Sequence, residues 1–142
     1  MAFSPEEYRK RIRFVVKLGR ALHECGASSE RIERHLTNVT RMLGFHASIL
    51  ISPTTFTCAF WEDDELDQFL HIERTEPGDY KLGKLWEIDR MVEAIEDDKI
   101  DFTTGIERLK ELTTAPPTFS PAMNALAMTI TGLGFAALLS AN

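Results

Sequence analysis

The side chains able to do chemistry in this sequence are few and scattered. His23-Glu24 has the first two residues of a zinc-protease helix motif, but position 27 is Ala27 where a second histidine is needed to put two imidazoles on one helix face. His35 and His46 flank one helical stretch and His71 falls in an extended one; a lone histidine on a mixed face is more often structural than a base or a ligand. Cys25 comes at a helix C-terminal end, where the dipole disfavours a thiolate, and Cys58 alternates with Phe56 and Phe60 as a small buried hydrophobe. Residues 62–67 hold five carboxylates in six positions but lack the glycine and alternating ligands of a calcium loop, so they read as a solvated hairpin tip. No Gly-rich loop follows a strand and precedes a helix, so a nucleotide cradle is not indicated. No nucleophile can be set beside a base, and the reading is of a non-enzyme that calls for no metal and no cofactor. Three residues remain as binding candidates: Arg31 and Glu33 in the first turn of a helix, and Arg74 at the end of a strand. Each can anchor an anionic ligand or a partner surface, and each is also explained by a structural ion pair.

The elements that must position these residues follow from periodicity. Ser4-Pro5-Glu6-Glu7 is a capping-box start, and Tyr8, Ile12, Val15, Gly19 and Leu22 make one apolar stripe that Gly26 ends. Ser28 or Ser29 caps a second helix with Ile32, Leu36, Val39 and Leu43 inward and Gly44 at its end, giving a helical hairpin. The period then changes to two. Residues 45–52 and 55–61 read as strands about a break at Pro53-Thr54, and residues 67–74 as a third with Leu70 and Ile72 inward. Helical spacing returns with Leu82, Leu85, Ile88, Val92 and Ile95, and Asp101 or Thr104 caps a fourth helix carrying Ile106 and Leu109. The order predicts an α+β fold: a helical hairpin, a small three-stranded antiparallel sheet covered on one face, two further helices and a C-terminal apolar helix.

That last helix divides the chain. Residues 121–140 contain no charge, have the length a bilayer core requires, and are rich in the small residues membrane helices use for close approach. The competing reading is a buried core helix with Met123, Leu126, Ile130, Leu133 and Ala137 on one stripe, but a core helix this long usually carries charge on its wet face. The expected organisation is a soluble domain over 1–117 and a first transmembrane segment over 118–142, joined by a stiff Pro116-Pro117 link. The net charge of -6 argues against nucleic acid, yet it is uneven: nine Lys and Arg against five Asp and Glu up to His46, then seven against seventeen. The basic residues gather in the first helix, which suits anionic lipid or an acidic partner as well as a solvated face. No signal peptide opens the chain, and two unpatterned cysteines suit a reducing compartment, so the domain is expected on the cytoplasmic side.

Gly26-Ala27, Arg31-Ile32-Glu33, Pro53-Thr54, Arg74, and Leu82 with Leu85, in this order and spacing, resemble the amino-terminal domain of the threonine/serine exporter family. The apolar run after Pro116-Pro117 falls where that family begins its first membrane helix. The resemblance implies a bacterial inner-membrane system exporting small amino acids such as threonine and serine, with related two-subunit systems linked to small dicarboxylates such as succinate. It implies as partners the membrane, the chain's own further membrane helices or a second small membrane subunit, and the amino acid or dicarboxylate carried. Because the sequence stops at Asn142, before any further helix, it reads as a truncated piece of such a protein. Within that reading the soluble domain gates, senses or assembles the membrane part. Two rivals come from other classes: a small soluble hydrolase, which lacks an identifiable nucleophile and base, and an interaction module that forms a homo-oligomer through the hairpin or the last helix.

Overall fold

The computed structural model describes residues 4–62, 68–116 and 120–140. Helix α1 (Pro5–Glu24) starts as its sequence dictates: the Ser4 hydroxyl accepts from the Glu7 backbone N–H at 3.2 Å, with Pro5 at the first helical position. The Glu7 side chain pairs with Arg11 at 2.7 Å, one turn on. Gly26, at φ 79, turns the chain into α2 (Ser29–Met42), whose cap is Ser28, and Gly44, at φ 84, releases α2 into the sheet.

Strands β1 (His46–Ser52), β2 (Thr55–Trp61) and β3 (Phe69–Arg74) form an antiparallel sheet in the order β1-β2-β3. The α+β reading therefore holds, with helices on one face of a three-stranded antiparallel sheet. Phe56, Cys58 and Phe60 point into the core as the alternation in β2 requires, and Cys58 stands opposite Ile49 on one side and His71 on the other. That register corrects one expectation. Leu70 and Ile72 do not face inward: they are 58% and 63% exposed, and His71 and Glu73 are the partly buried residues of β3. The inward face of β3 is set by its pairing with β2 and by an Arg20–Glu73 ion pair to α1, which a local apolar count does not contain. Leu50, Leu70 and Ile72 consequently share an open sheet face.

Helices α3 (Leu82–Glu96) and α4 (Phe102–Thr114) pack against each other and against the first hairpin. Leu82 is 67% exposed rather than inward, while Leu85, Ile88, Met91, Val92 and Ile95 are buried. Asp101 is the α4 cap, accepting from the Thr103 backbone N–H at 3.2 Å and from the Thr104 hydroxyl, so Thr104 lies inside the helix. Those bonds hold the Asp101 carboxyl below its usual range. The centre of the core lies around α1, which buries Val15, Leu18 and Leu22 fully and is covered by α2, β2 and α4. Its second buried side, with Phe14 set edge-on to Phe102 at 5.1 Å, widens the single stripe expected from periodicity. Edge-on contacts of Phe45 with Tyr8 (5.6 Å) and Phe60 (5.9 Å) close the end of the core next to the α2–β1 turn. The acidic stretch 63–67 and Pro117 lie outside the described residues.

The chain leaves α4 through Ala115, whose carbonyl accepts a hydrogen bond from Lys84 Nζ at 2.5 Å, in the first turn of α3. Helix α5 (Pro121–Ser140) follows, with Ser120 as its cap. None of its residues is buried.

Candidate functional site

Among the described residues, three places bear on the candidates that the sequence offers. Arg31, in the first turn of α2, reaches across to α3 and bonds Asp89 Oδ2 at 3.2 Å. One turn further along α2, His35 is buried between Asp89 Oδ1 at 3.4 Å and Glu96 Oε1 at 3.7 Å. His35 Nδ1, Asp89 Oδ1 and Glu96 Oε1 are all buried without a hydrogen bond among the described residues. No hydroxyl or thiol takes part in these contacts, so the nucleophile of a hydrolase is not among them. The sequence offered one sign of this arrangement. Asp89 and Glu96 stand seven residues apart on α3, beside the buried positions Ile88, Val92 and Ile95.

Arg74 lies elsewhere. It lines a cleft of about 430 Å³ between the end of β3, the C-terminal end of α1 and the segment leading into α3. Gly78 closes this cleft against α1: a Cβ there would lie 1.9 Å from the His23 carbonyl oxygen, so only glycine permits the approach. Arg20 crosses the mouth to Glu73, and His71 reaches the same carboxylate at 3.3 Å. Partial burial pushes the Glu73 carboxyl up, but the bonds and charges of Arg20 and His71 outweigh it and hold the group below its usual range. Glu33 is exposed on α2 and is in neither group. The structure thus ties Arg31 to α3, sets Arg74 in a separate cleft, and brings the three candidates to no common site.

Cys25 and Cys58 are buried free thiols; burial raises both, Cys58 to about 12, which leaves neither as a ready nucleophile. Among the described residues no group of three side chains is placed to hold a metal ion.

The third place is α5. It is the one helix among the described residues long and apolar enough to cross a membrane, with a mean hydropathy of 1.6 and none of that window buried. Twenty residues at about 1.5 Å each span about 30 Å, the thickness of a hydrocarbon core. Its hydroxyls are satisfied within the helix: Thr129 donates to the Ala125 carbonyl at 2.8 Å, Thr131 to that of Ala127 at 2.9 Å, and Ser140 to that of Ala137 at 3.0 Å. That removes much of the cost such groups would carry in lipid.

An α+β fold is followed by an exposed, chargeless helix of bilayer length. A family model described as "Putative threonine/serine exporter" matches residues 13–142, and the chain belongs to this family. It is therefore an exporter-related protein, and membership implies a location at a membrane. An uncharacterized protein of Schizosaccharomyces pombe is 27% identical over 110 residues, covering 78% of this chain and 14% of the relative. The chain thus spans about one seventh of that relative's length. No solved structure matches the chain.

Proposed function

We propose that this chain is the amino-terminal, cytoplasmic-side part of an exporter of small amino acids such as threonine and serine, with α5 as the first helix of the translocating unit. The observation that carries the reading is α5: an uncharged helix of 20 residues, none of them buried. Water is a poor solvent for such a surface. About 25 cal/mol per Å² of exposed apolar area favours its transfer to lipid or to other membrane helices. In this reading residues 1–117 are the soluble unit and 118–142 the membrane segment. The bacterial inner membrane is the setting the family resemblance implies, and Arg108 and Lys110, just before the apolar run, fit a cytoplasmic flank.

The domain acts on the membrane part by gating or assembly rather than by chemistry. Support comes from the short, stiff passage between them, in which α4 runs to Thr114 and Pro116-Pro117 follow directly. Arg74 in its cleft, and Glu33 and Arg31 on α2, are the residues offered to a ligand or to the partner helices. The substrate is carried by the membrane helices, not by these side chains.

The test is export from cells by the full-length protein. Replacing Pro116-Pro117 with Gly-Ser should lower threonine and serine export while the domain stays folded, and unchanged export would rule out coupling through the link. A protein that instead exports succinate and neither amino acid would assign the substrate to the dicarboxylates. Before that, the 142-residue chain should float with lipid vesicles; a chain left at the bottom of the gradient would remove α5 from the membrane and the reading with it.

A further inference from the structure

Helices α1 and α4 enclose a groove of about 510 Å³ that none of the above uses. Its floor is apolar, made by Phe14, Ala21, Ile106 and Leu109. Its walls are cationic. Lys10, Arg13 and Lys17 enter from α1 and Lys110 from α4, all exposed, and none has an ion pair among the described residues. Arg20 also lines the groove, though its guanidinium is committed to Glu73, and the one carboxylate in the lining is Glu24. Four uncommitted cations gathered on one groove, in a chain of net charge -6, leave a local field whose sign is opposite to that of the whole molecule.

Position decides which anion fits. Five of the twelve residues that line the groove come from α4, and they run down to Thr113 and Thr114 at its C-terminal end. From Thr114 to Pro121 is seven residues, a reach of at most about 25 Å even fully extended. The Thr114 end of the groove is therefore held within that distance of the start of α5. If α5 crosses the bilayer, the first anions it meets are lipid phosphates, and the apolar floor suits the glycerol and upper acyl carbons beneath them.

We propose that the α1–α4 groove docks the headgroup of an anionic phospholipid from the leaflet that α5 enters. This rests on the membrane reading of α5 and adds to it a lipid-binding site with named residues. The remainder of the domain is acidic and is repelled by the same surface, so the contact also fixes which face of the domain lies against the membrane. Each cation brought to an anionic surface is worth about fivefold in occupancy.

The test uses the full chain with vesicles of phosphatidylcholine alone, or with a third of the lipid replaced by phosphatidylglycerol. Flotation is measured first, then amine acylation of each lysine by mass spectrometry. Lys10, Lys17 and Lys110 should react at least about fivefold more slowly on the anionic vesicles than on the neutral ones, with Lys99, paired to Asp97 away from the groove, unchanged. The double variant Arg13→Gln, Lys17→Gln should weaken occupancy about 25-fold and return Lys10 and Lys110 to their rates on neutral lipid, while still floating and keeping the wild-type circular dichroism. Equal rates on both vesicles from a chain that floats overturn the groove site and leave the membrane helix standing. Failure to float on either removes both. Protection by inorganic phosphate without vesicles, or by an acidic peptide and not by anionic vesicles, would replace the lipid with a soluble anion or a protein partner and overturn the proposal.

Discussion

Gly19 sets two known effects against each other. It lies in the middle of α1, and an alanine there gains about 1 kcal/mol of helix propensity. Against that, a Cβ at position 19 would lie 2.4 Å from Phe56 Cζ and 2.8 Å from Leu36 Cδ1. Both neighbours are fully buried, and the Phe56 ring is rigid and held in the inward row of β2, so it cannot withdraw as a flexible chain end would. Overpacking of this kind costs about 1–3 kcal/mol. The clash wins, and Gly19→Ala should destabilise the domain by about 1 kcal/mol, which lowers the melting temperature by about 4 °C for a domain of this size. Gly105→Ala is the matched control. Its Cβ meets the Ile95 Cδ1 at 2.7 Å, the free end of an aliphatic chain that can turn away, so the propensity gain and the contact should nearly cancel. Thermal melts of the full chain in mild detergent, followed by circular dichroism, compare the two. A Gly19→Ala protein as stable as wild type, or more so, would refute the claim that α1 and the sheet meet without slack at this position.

Other outcomes follow from charges and thiols. Because burial raises the Cys58 thiol to about 12, it stays protonated in the fold while its unfolded counterpart ionises near 9. Stability should therefore be intact below pH 9 and fall by about 1.4 kcal/mol per unit above it, and Cys58→Ala should flatten that slope in alkaline denaturant titrations. Glu73 has the opposite sign. Its lowered carboxyl contributes stability that is present above the ordinary carboxylate range and is lost as pH falls through its folded value, so Glu73→Gln should remove part of the acid sensitivity. At neutral pH the loss should stay under about 1 kcal/mol, since the Arg20 partner is half exposed. Asp89→Ala should cost about 1–3 kcal/mol in chemical denaturation, because it strips both Arg31 and the buried His35 of a partner. Leu133→Arg in the centre of α5 adds about 3 kcal/mol to membrane insertion and should shift the chain away from floating vesicles.

Local rules made some of this structure legible and tertiary contacts the rest. The Ser4 and Ser28 caps, the two left-handed glycines Gly26 and Gly44, and the alternation through β2 are decided within a few residues, so the sequence states them. The inward face of β3 is not decided there. Leu70 and Ile72 are the apolar choice, yet the register with β2 and the reach of Arg20 turn His71 and Glu73 inward instead. In the same way one apolar stripe was visible on α1, while its second, with Phe14 and Ala21, exists because α4 returns from more than seventy residues later to cover it. The His35 pocket joins residues 54 and 61 positions apart, and the α1–α4 groove joins Lys10 to Lys110. Nothing in the neighbourhood of either end announces the other.

The hydrogen bond from Lys84 to the Ala115 carbonyl has a mechanical meaning. Ala115 is the joint at which the chain leaves the domain, and a load applied through α5 arrives there. With Lys84 attached, the joint is braced at two points, so the load divides between α4 and the first turn of α3. A hydrogen bond of about 1 kcal/mol is weak enough to open before either helix unwinds. Under such a load the first contact to give would be this one, at the exit of the domain rather than in its core.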